Sequence, residues 1–535
     1  MGFAYAPAYT SNMRELDVKS ARRLALAAVA LGVTVPLLAA DQRARVLATN
    51  TLVLSGSVAL ASMAVGVPLA FLLTRTDIFG RRWASTLLLA MLFVPLYLQA
   101  AAWEAGFGLQ GWYTAQTGGS VLLEGWRGAI AVHTAAAIPW VVLIVGMGLL
   151  LAEPELEEAA LLDGTPGQVF RRVTLPRAAP SIGAAFLWVA VTTAGEMTVT
   201  DLFQIRTYAE QVYTEFALGD VIGEAPWRIL PSTIAAGWIV VGGLVLASRL
   251  VPDDRHASER LSLVFSLGRW RWPAGVAALG SVAFLVGVPI VSLIVKAGML
   301  VTRGERGLVR SWSASQCARL IAGSPVRFSR EFLWSIAVAA LAATLALVLG
   351  LLLAWPARRG GWRATLAWLA IAICLAMPGP LVGLGCIELF TGPQWPWLLD
   401  LYDHSLAPIV LAQSVRSLPL CTLVLWYALR TISPDVLDSA ALEGATGLRR
   451  FLRIALPQRR AAVAVAWLVA FAVAWGELAA SILVVPPGVI TLPIQIFNLI
   501  HYGVDDQVAG ISLVVLAAFF LLAAVVGALA RKPAE

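Results

Sequence analysis

Glu157-Glu158-Ala159-Ala160-Leu161-Leu162-Asp163-Gly164-Thr165-Pro166-Gly167-Gln168-Val169-Phe170-Arg171-Arg172-Val173-Thr174-Leu175-Pro176-Arg177-Ala178-Ala179-Pro180 is a polar island between apolar stretches, and it occurs twice. The echo is Asp438-Ser439-Ala440-Ala441-Leu442-Glu443-Gly444-Ala445-Thr446-Gly447-Leu448-Arg449-Arg450-Phe451-Leu452-Arg453-Ile454-Ala455-Leu456-Pro457-Gln458-Arg459-Arg460. A carboxylate, small residues, a glycine, an aromatic with basic neighbours and Leu-Pro recur in the same order, the mark of a long-period internal repeat. Residues Glu158 to Leu162 favour a short helix. Gly164 and Pro166 break it, Val169, Phe170 and Val173 form a second apolar stripe, and Pro176 closes the unit. Arg171, Arg172 and Arg177 keep the unit on the electropositive side of a membrane. The expectation is a helix-turn-helix elbow at the membrane surface, with one apolar ridge and one charged edge. It reads as a docking surface, not an active site.

The flanks explain why a membrane enters the argument. The 535 residues are 59% apolar and 13% charged, with a mean hydropathy of +0.80, whereas soluble domains carry about 25% charged residues. The chain is therefore read as an all-α polytopic membrane protein. Its net charge of +7 comes from arginine, since Lys19, Lys296 and Lys532 are the only lysines. These charges are scattered over loops instead of lining one face, which argues for an orientation signal and against a nucleic-acid partner. Cys317, Cys374, Cys386 and Cys421 match no metal or disulfide spacing.

Runs of about 20 apolar residues can cross a bilayer as helices. Twelve are expected, at 21–40, 50–74, 84–104, 128–152, 181–200, 229–250, 273–300, 331–355, 364–391, 405–430, 461–485 and 508–530. Arg22 and Arg23 lead into the first without a clean cleavage site, so it reads as a retained span. Most of the 39 basic residues fall on one side if both termini and both elbows are cytoplasmic. The exception is a basic external loop at 301–330. Domain boundaries follow: a cytoplasmic segment 1–20, a first repeat 21–251 with its elbow at 153–180, a charged linker 252–272, a second repeat 273–530 with its elbow at 432–460, and a tail 531–535. Asn50-Thr51 faces Trp334-Ser335 and Gly66 faces Gly350 at an offset of 284, Pro139 faces Pro419 at 280, and Gly195-Glu196 faces Gly476-Glu477 at 281. Six spans per repeat preserve orientation, so the halves are parallel repeats about an axis along the membrane normal.

No Gly-x-x-x-x-Gly-Lys-Ser/Thr loop exists, so the chain supplies no nucleotide site of that type. Ionisable groups inside a bilayer cost about 2.5 to 3.5 kcal/mol on insertion scales and each needs a reason. Glu104, Glu196, Glu388 and Glu477 fall in or at the ends of spans as two repeat-related pairs, and Arg416 is the cation well inside one. They read either as lining a pathway suited to a cationic substrate or as buried interhelical hydrogen bonds and ion pairs, with Arg416 neutralising one carboxylate. His133, at the position of Gln413, reads as a core histidine or a ligand. No metal site is assigned.

The paired elbows resemble the Glu-Ala-Ala loop of ATP-binding-cassette importer permeases: Glu-Ala-Ala, three residues, Gly, about a dozen more, then Leu-Pro. The first copy runs 12 positions from Gly164 to Pro176 and the second 13 from Gly444 to Pro457, and Asp438-Ser439 replaces Glu-Ala. The resemblance implies that each elbow is a coupling helix fitting a cleft in an ATPase. Its residues would be Glu158, Ala159, Ala160, Gly164, Phe170, Leu175 and Pro176, then Asp438, Ala440, Gly444, Phe451, Leu456 and Pro457. It further implies two ATPase copies carrying ATP-Mg, no cofactor on this chain, an extracytoplasmic solute-binding protein and alternating access between the halves. Gly195-Glu196-Met197-Thr198-Val199-Thr200-Asp201-Leu202 and Gly476-Glu477-Leu478-Ala479-Ala480-Ser481 are similar to the ferric-iron branch, with thiamine, phosphonate and polyamine permeases nearby. An ion-coupled secondary transporter would use the buried carboxylates but leaves two elbows unexplained. A lipid-modifying enzyme would need a clustered nucleophile or metal set, and none is visible in the sequence.

Overall fold

The structure, a computed structural model, describes residues 42–150, 154–218, 263–304, 307–503 and 505–530. Its first half comprises α1 (Gln42–Arg75), α2 (Arg81–Met91), α3 (Leu96–Phe107), α4 (Gly125–Leu150), elbow helices α5 (Pro154–Asp163) and α6 (Pro166–Val169), α7 (Leu175–Ala194), α8 (Thr198–Leu202) and α9 (Tyr208–Ala217). Next come α10 (Arg271–Ala297), the strands β1 (Met299–Gly304) and β2 (Gly307–Trp312), and α11 (Ala314–Arg327). The second half repeats the first: α12 (Ser329–Ala357), α13 (Gly361–Ala376), α14 (Gly379–Thr391), α15 (Ala407–Arg430), elbow helices α16 (Pro434–Leu442) and α17 (Gly447–Arg450), α18 (Arg460–Trp475), α19 (Ser481–Val484) and α20 (Leu492–His501), then α21 (Asp505–Ala530).

The repeat extends to single hydrogen bonds. Tyr208 N–H, opening α9, donates to Thr51 Oγ1 at 3.1 Å, and Leu492 N–H, opening α20, donates to Ser335 Oγ at 2.7 Å. Inside each half the helices approach through small residues, as lipid-embedded helices do. A Cβ on Gly66 would lie 2.6 Å from Val141 Cγ1, and one on Gly350 would lie 3.1 Å from Leu425 Cδ1. The halves also exchange elements. Val212 of α9 packs in a cluster with Leu381, Ile387 and Ile409 of the second half, and Ile496 and Phe497 of α20 join the first half's core.

Among the described residues, 7 helices are long and apolar enough to cross a membrane, or up to 10 if each bent pair is one span. The expected spans 21–40 and 229–250 lie outside the described residues, as do the segments 1–20 and 531–535. The spans read as straight helices at 84–104 and 364–391 are instead bent pairs, α2 with α3 and its following short helix by 107° and α13 with α14 by 108°. The reason is Pro95 and Pro378, which sit as N-caps with φ −59, ψ 148 and φ −55, ψ 147. Proline has no N–H to continue the ladder and pushes the preceding residue out of the helical region. The stretch 301–330, read as a loop, forms the β1–β2 hairpin and α11, whose N-cap Ser313 accepts from Gln316 N–H at 3.3 Å. Of the linker, residues 263 onward are described, and they pack on the first half: Phe265 N–H donates to the Arg75 carbonyl at 2.8 Å.

Candidate functional site

The helices run back and forth so that α1, α4, α12 and α15 all end where the elbows begin. Both elbows therefore lie at one end of the molecule. In each, a helix of ten residues or fewer stops at glycine, and a threonine restarts it. Thr165 N–H donates to Gln168 Oε1 at 2.9 Å, and Thr446 Oγ1 accepts from Arg449 N–H at 3.3 Å. The extra residue of the second copy is Ala445, because the offset is 280 at Gly164/Gly444 and 281 at Thr165/Thr446. Gly444 absorbs it at φ +82, a left-handed turn open to glycine.

Past the threonine each copy makes a five-residue π turn, Phe170–Thr174 and Phe451–Ala455. Leu175 N–H reaches the Phe170 carbonyl and Leu456 N–H the Phe451 carbonyl. Pro176 and Pro457 have no N–H to restore the usual ladder, which accounts for the slipped register. Pro176 thus does not close the unit; it is the second residue of α7, and Pro166–Ala194 is one apolar span. The second half bends there by 81°.

The elbow residues divide by direction. Glu158, Ala159 and Pro176 are exposed, Ala160, Gly164, Phe170 and Leu175 half-buried. Asp438, Gly444 and Pro457 are exposed, and Ala440, Phe451 and Leu456 half-buried. Phe170 and Phe451 point inward, with ring centroids 4.1 Å from Phe71 and 4.9 Å from Trp355, a repeat-related pair of contacts. The most exposed apolar groups of the elbows are Leu162 and Leu442, 88% and 91% exposed. Sequence alone nominates neither, although an apolar residue recurs at the same place in the two polar islands. Glu157, fully buried, was likewise missed.

Charge differs between the elbows. In the first, Arg75 is buried and paired with Glu157. In the second, Leu437 stands at the position of Glu157. Arg358, stacked 3.5 Å over Trp355, is pushed down to about 10 by burial first, then by Arg359 and Arg450.

Just past the ends of α7 and α18 the carboxylates at 196 and 477 do matching work. Glu196 accepts from Thr198 and Val199 N–H at 2.7 and 3.0 Å; Glu477 accepts from Ala480 and Ser481 N–H at 2.9 and 3.0 Å and from Ser481 Oγ at 2.6 Å. Each stabilises a helix break by receiving N–H groups that have no partner within a helix. His133 Nε2 lies 3.7 Å from Glu196, and Gln413, its counterpart, donates to Ser481 at 3.4 Å. The breaks face the opposite half's proline. A Cβ on Gly195 would meet Pro378 at 3.5 Å, and one on Gly476 would meet Pro95 at 2.6 Å. Arg416 donates to the Met377 carbonyl at 3.0 Å and acts electrostatically on Glu196 across the halves.

Glu104 and Glu388 are not part of this junction. Glu388 is exposed on α14. Glu104 lines a cavity of about 220 Å³ at the end away from the elbows, with Asp201 and His501. There His501 Nε2 lies 3.0 Å from Asp201 Oδ2, joining the halves. The hydrogen bond to Asp201 is the main reason the imidazole is raised above its ordinary value.

Known proteins are similar to this chain in sequence. The family model described as "Binding-protein-dependent transport system inner membrane component" matches residues 63–253 and again 346–532. The ferric-ion transport system permease FbpB 2 of Haemophilus influenzae is 23% identical over 460 residues, 84% of this chain and 83% of its own. The putrescine transport system permease PotI of Escherichia coli is 28% identical over 227 residues, 39% of this chain and 79% of its own. A putative 2-aminoethylphosphonate transport system permease, PhnV of Salmonella paratyphi A, is 29% identical over 192 residues, 35% and 69% of the two chains. With its domain present twice over more than half of the residues, the chain belongs to the inner-membrane permease family of binding-protein-dependent transport systems and is a multi-pass membrane protein.

Proposed function

We propose that this chain forms the whole transmembrane pathway of an ATP-driven importer, with one ATPase docked on each elbow. The observation that carries the reading is the pair Leu162 and Leu442: nearly fully exposed apolar groups, repeat-related, at one end of the molecule. Such groups gain by burial against a partner. The elbows, 153–180 and 432–460, would be coupling helices facing the cytoplasm, and the two termini, 1–20 and 531–535, would lie on that side with the linker 252–272. Twelve spans, six in 21–251 and six in 273–530, would complete the pathway. ATP-Mg would sit on the ATPase chains, with no cofactor here, and an extracytoplasmic binding protein would dock at the end bearing Asp201 and His501.

Transport follows from differential binding. An ATPase dimer that grips the elbows differently with and without ATP shifts the equilibrium between two arrangements of the halves. The swapped contacts Gly195–Pro378 and Gly476–Pro95 are where the halves meet at the helix breaks, so they are the natural pivot. Glu196, Glu477 and Arg416 stand at that pivot, while Glu104 and Glu388 lie outside it. Ferric iron is the favoured substrate, because the relative matched along most of both chains is named for it. Putrescine, phosphonate and thiamine are the alternatives.

The test is ATP hydrolysis by the purified ATPase with this chain in lipid, with Gly164→Trp and Gly444→Trp beside the native protein. Stimulation by the native chain that both variants lose is the expected result. Absence of association, with unchanged variants, would overturn the reading. Uptake of labelled iron, putrescine and 2-aminoethylphosphonate by cells with and without the chain then decides the substrate.

A further inference from the structure

The two elbows are attached to the body in different ways. Arg75, the last residue of α1, is completely buried. Its Nη1 donates to the Leu149 carbonyl of α4 at 2.7 Å, and its Nη2 donates to Glu157 Oε2 of α5. Thr174 Oγ1, in the π turn, donates to the other carboxylate oxygen at 2.7 Å. Phe265 donates its N–H to the Arg75 carbonyl, and its ring lies 5.5 Å from the guanidinium and 6.1 Å from Phe71. Leu267 N–H is held by Asp77 at 3.1 Å. One guanidinium therefore joins α1, α4, the elbow helix and its π turn, and the adjoining segment leads directly into α10.

The second elbow keeps the aromatic contact but loses the polar network. Leu437 replaces Glu157, Ala455 replaces Thr174, and Arg359, at the place of Arg75, is exposed. Leu437 is buried among apolar groups that include Leu429, Ile432 and Phe451. The second elbow's guanidinium-to-carbonyl bonds include Arg450 to Leu437 at 3.5 Å and Arg459 to Thr431 at 2.8 Å. A buried, hydrogen-bonded ion pair is directional and resists separation, because either partner left alone is an uncompensated charge. Apolar contact is non-directional and can slip.

We propose that Arg75, Glu157 and Thr174 are positioning residues that lock the first elbow to α1, α4 and the entry to the second half, so that the first elbow drives the transition and the second follows. This rests on the elbows being the ATPase contacts. The two ATPase sites are then mechanically inequivalent although the repeats are homologous.

The test compares Arg75→Met/Glu157→Leu/Thr174→Ala, which replaces the network with apolar groups and leaves no orphan charge, with Leu437→Ala in the second elbow and the conservative Thr174→Ser. Transport per ATP hydrolysed is measured in proteoliposomes containing ATPase and binding protein. The triple variant is expected to bind the ATPase and stimulate hydrolysis while transport per ATP falls about tenfold, within the usual range of coupling energies. Thr174→Ser and Leu437→Ala keep the native ratio. Spin labels on Leu162→Cys and α1 give a second readout, a distance distribution that broadens in the triple variant and is already broad for Leu442→Cys and α12. A native ratio in the triple variant, an equal fall in Leu437→Ala, or equal native distributions would overturn the proposal. If Gly164→Trp and Gly444→Trp leave hydrolysis untouched, the elbow reading falls and takes the lock with it; if they abolish stimulation while the triple variant transports normally, only the lock falls.

Discussion

Truncating Leu162 to alanine separates docking from folding. The side chain is 88% exposed, so its loss changes stability by no more than about 0.5 kcal/mol. Docking that buries it fully would forfeit three carbon groups at about 0.8 kcal/mol each, about 2.4 kcal/mol in all and about sixtyfold in Kd. Leu442, 91% exposed, gives the same expectation for the second ATPase. The assay is titration of the ATPase onto the chain in lipid nanodiscs, with the melting temperature recorded alongside. An unchanged Tm and a Kd raised roughly sixtyfold is the expected pair of results. Native affinity in both Leu162→Ala and Leu442→Ala would refute the reasoning, as would a loss of affinity that merely tracks a lower Tm.

Other perturbations follow from the same geometry. Glu157→Ala leaves Arg75 buried without its partner and is expected to cost about 3 to 5 kcal/mol, while the exposed neighbour Glu158→Ala changes stability by under about 0.5 kcal/mol; thermal unfolding of the two variants shows the contrast. Gly476→Ala places a Cβ 2.6 Å from Pro95 Cγ, an overpacking worth about 1 to 3 kcal/mol, and lowers Tm accordingly. The His501–Asp201 bridge carries a raised folded pKa, so its stabilisation is complete below the ordinary value of 6.5 and is lost as pH rises through the folded value. Unfolding midpoints should therefore decline over that window in the native chain, and the decline should disappear in His501→Gln.

The repeat, the apolar spans and the two elbows were legible because they are local. A run of apolar residues and a glycine that ends a helix need no knowledge of what lies across the molecule, whereas the register slip before Pro176 and Pro457 was not read from the sequence. The equivalence of Glu196 and Glu477 was legible for the same reason. Their role as caps of two helix breaks was not, since a carboxylate in a span reads alike whether it faces a pathway or its own backbone. The bends at Pro95 and Pro378 had a local signal, a proline within an apolar run, which a hydropathy window averages away.

Tertiary structure decided what adjacency in sequence conceals. Glu157 and Glu158 are neighbours of one type, yet on a helix successive residues point about 100° apart, and one is buried against Arg75 while the other meets solvent. The partner lies 82 positions away, so no local pattern indicates which glutamate it selects. The halves likewise meet through exchanged contacts, Gly195 with Pro378 and Gly476 with Pro95, pairs that lie too far apart in sequence for a local pattern to show. Sequence alone determined two similar halves with two similar elbows, and a leucine, Leu437, where the first elbow has Glu157; tertiary structure decided that Glu157 is buried against Arg75, since the cost of a buried charge depends on what stands opposite it.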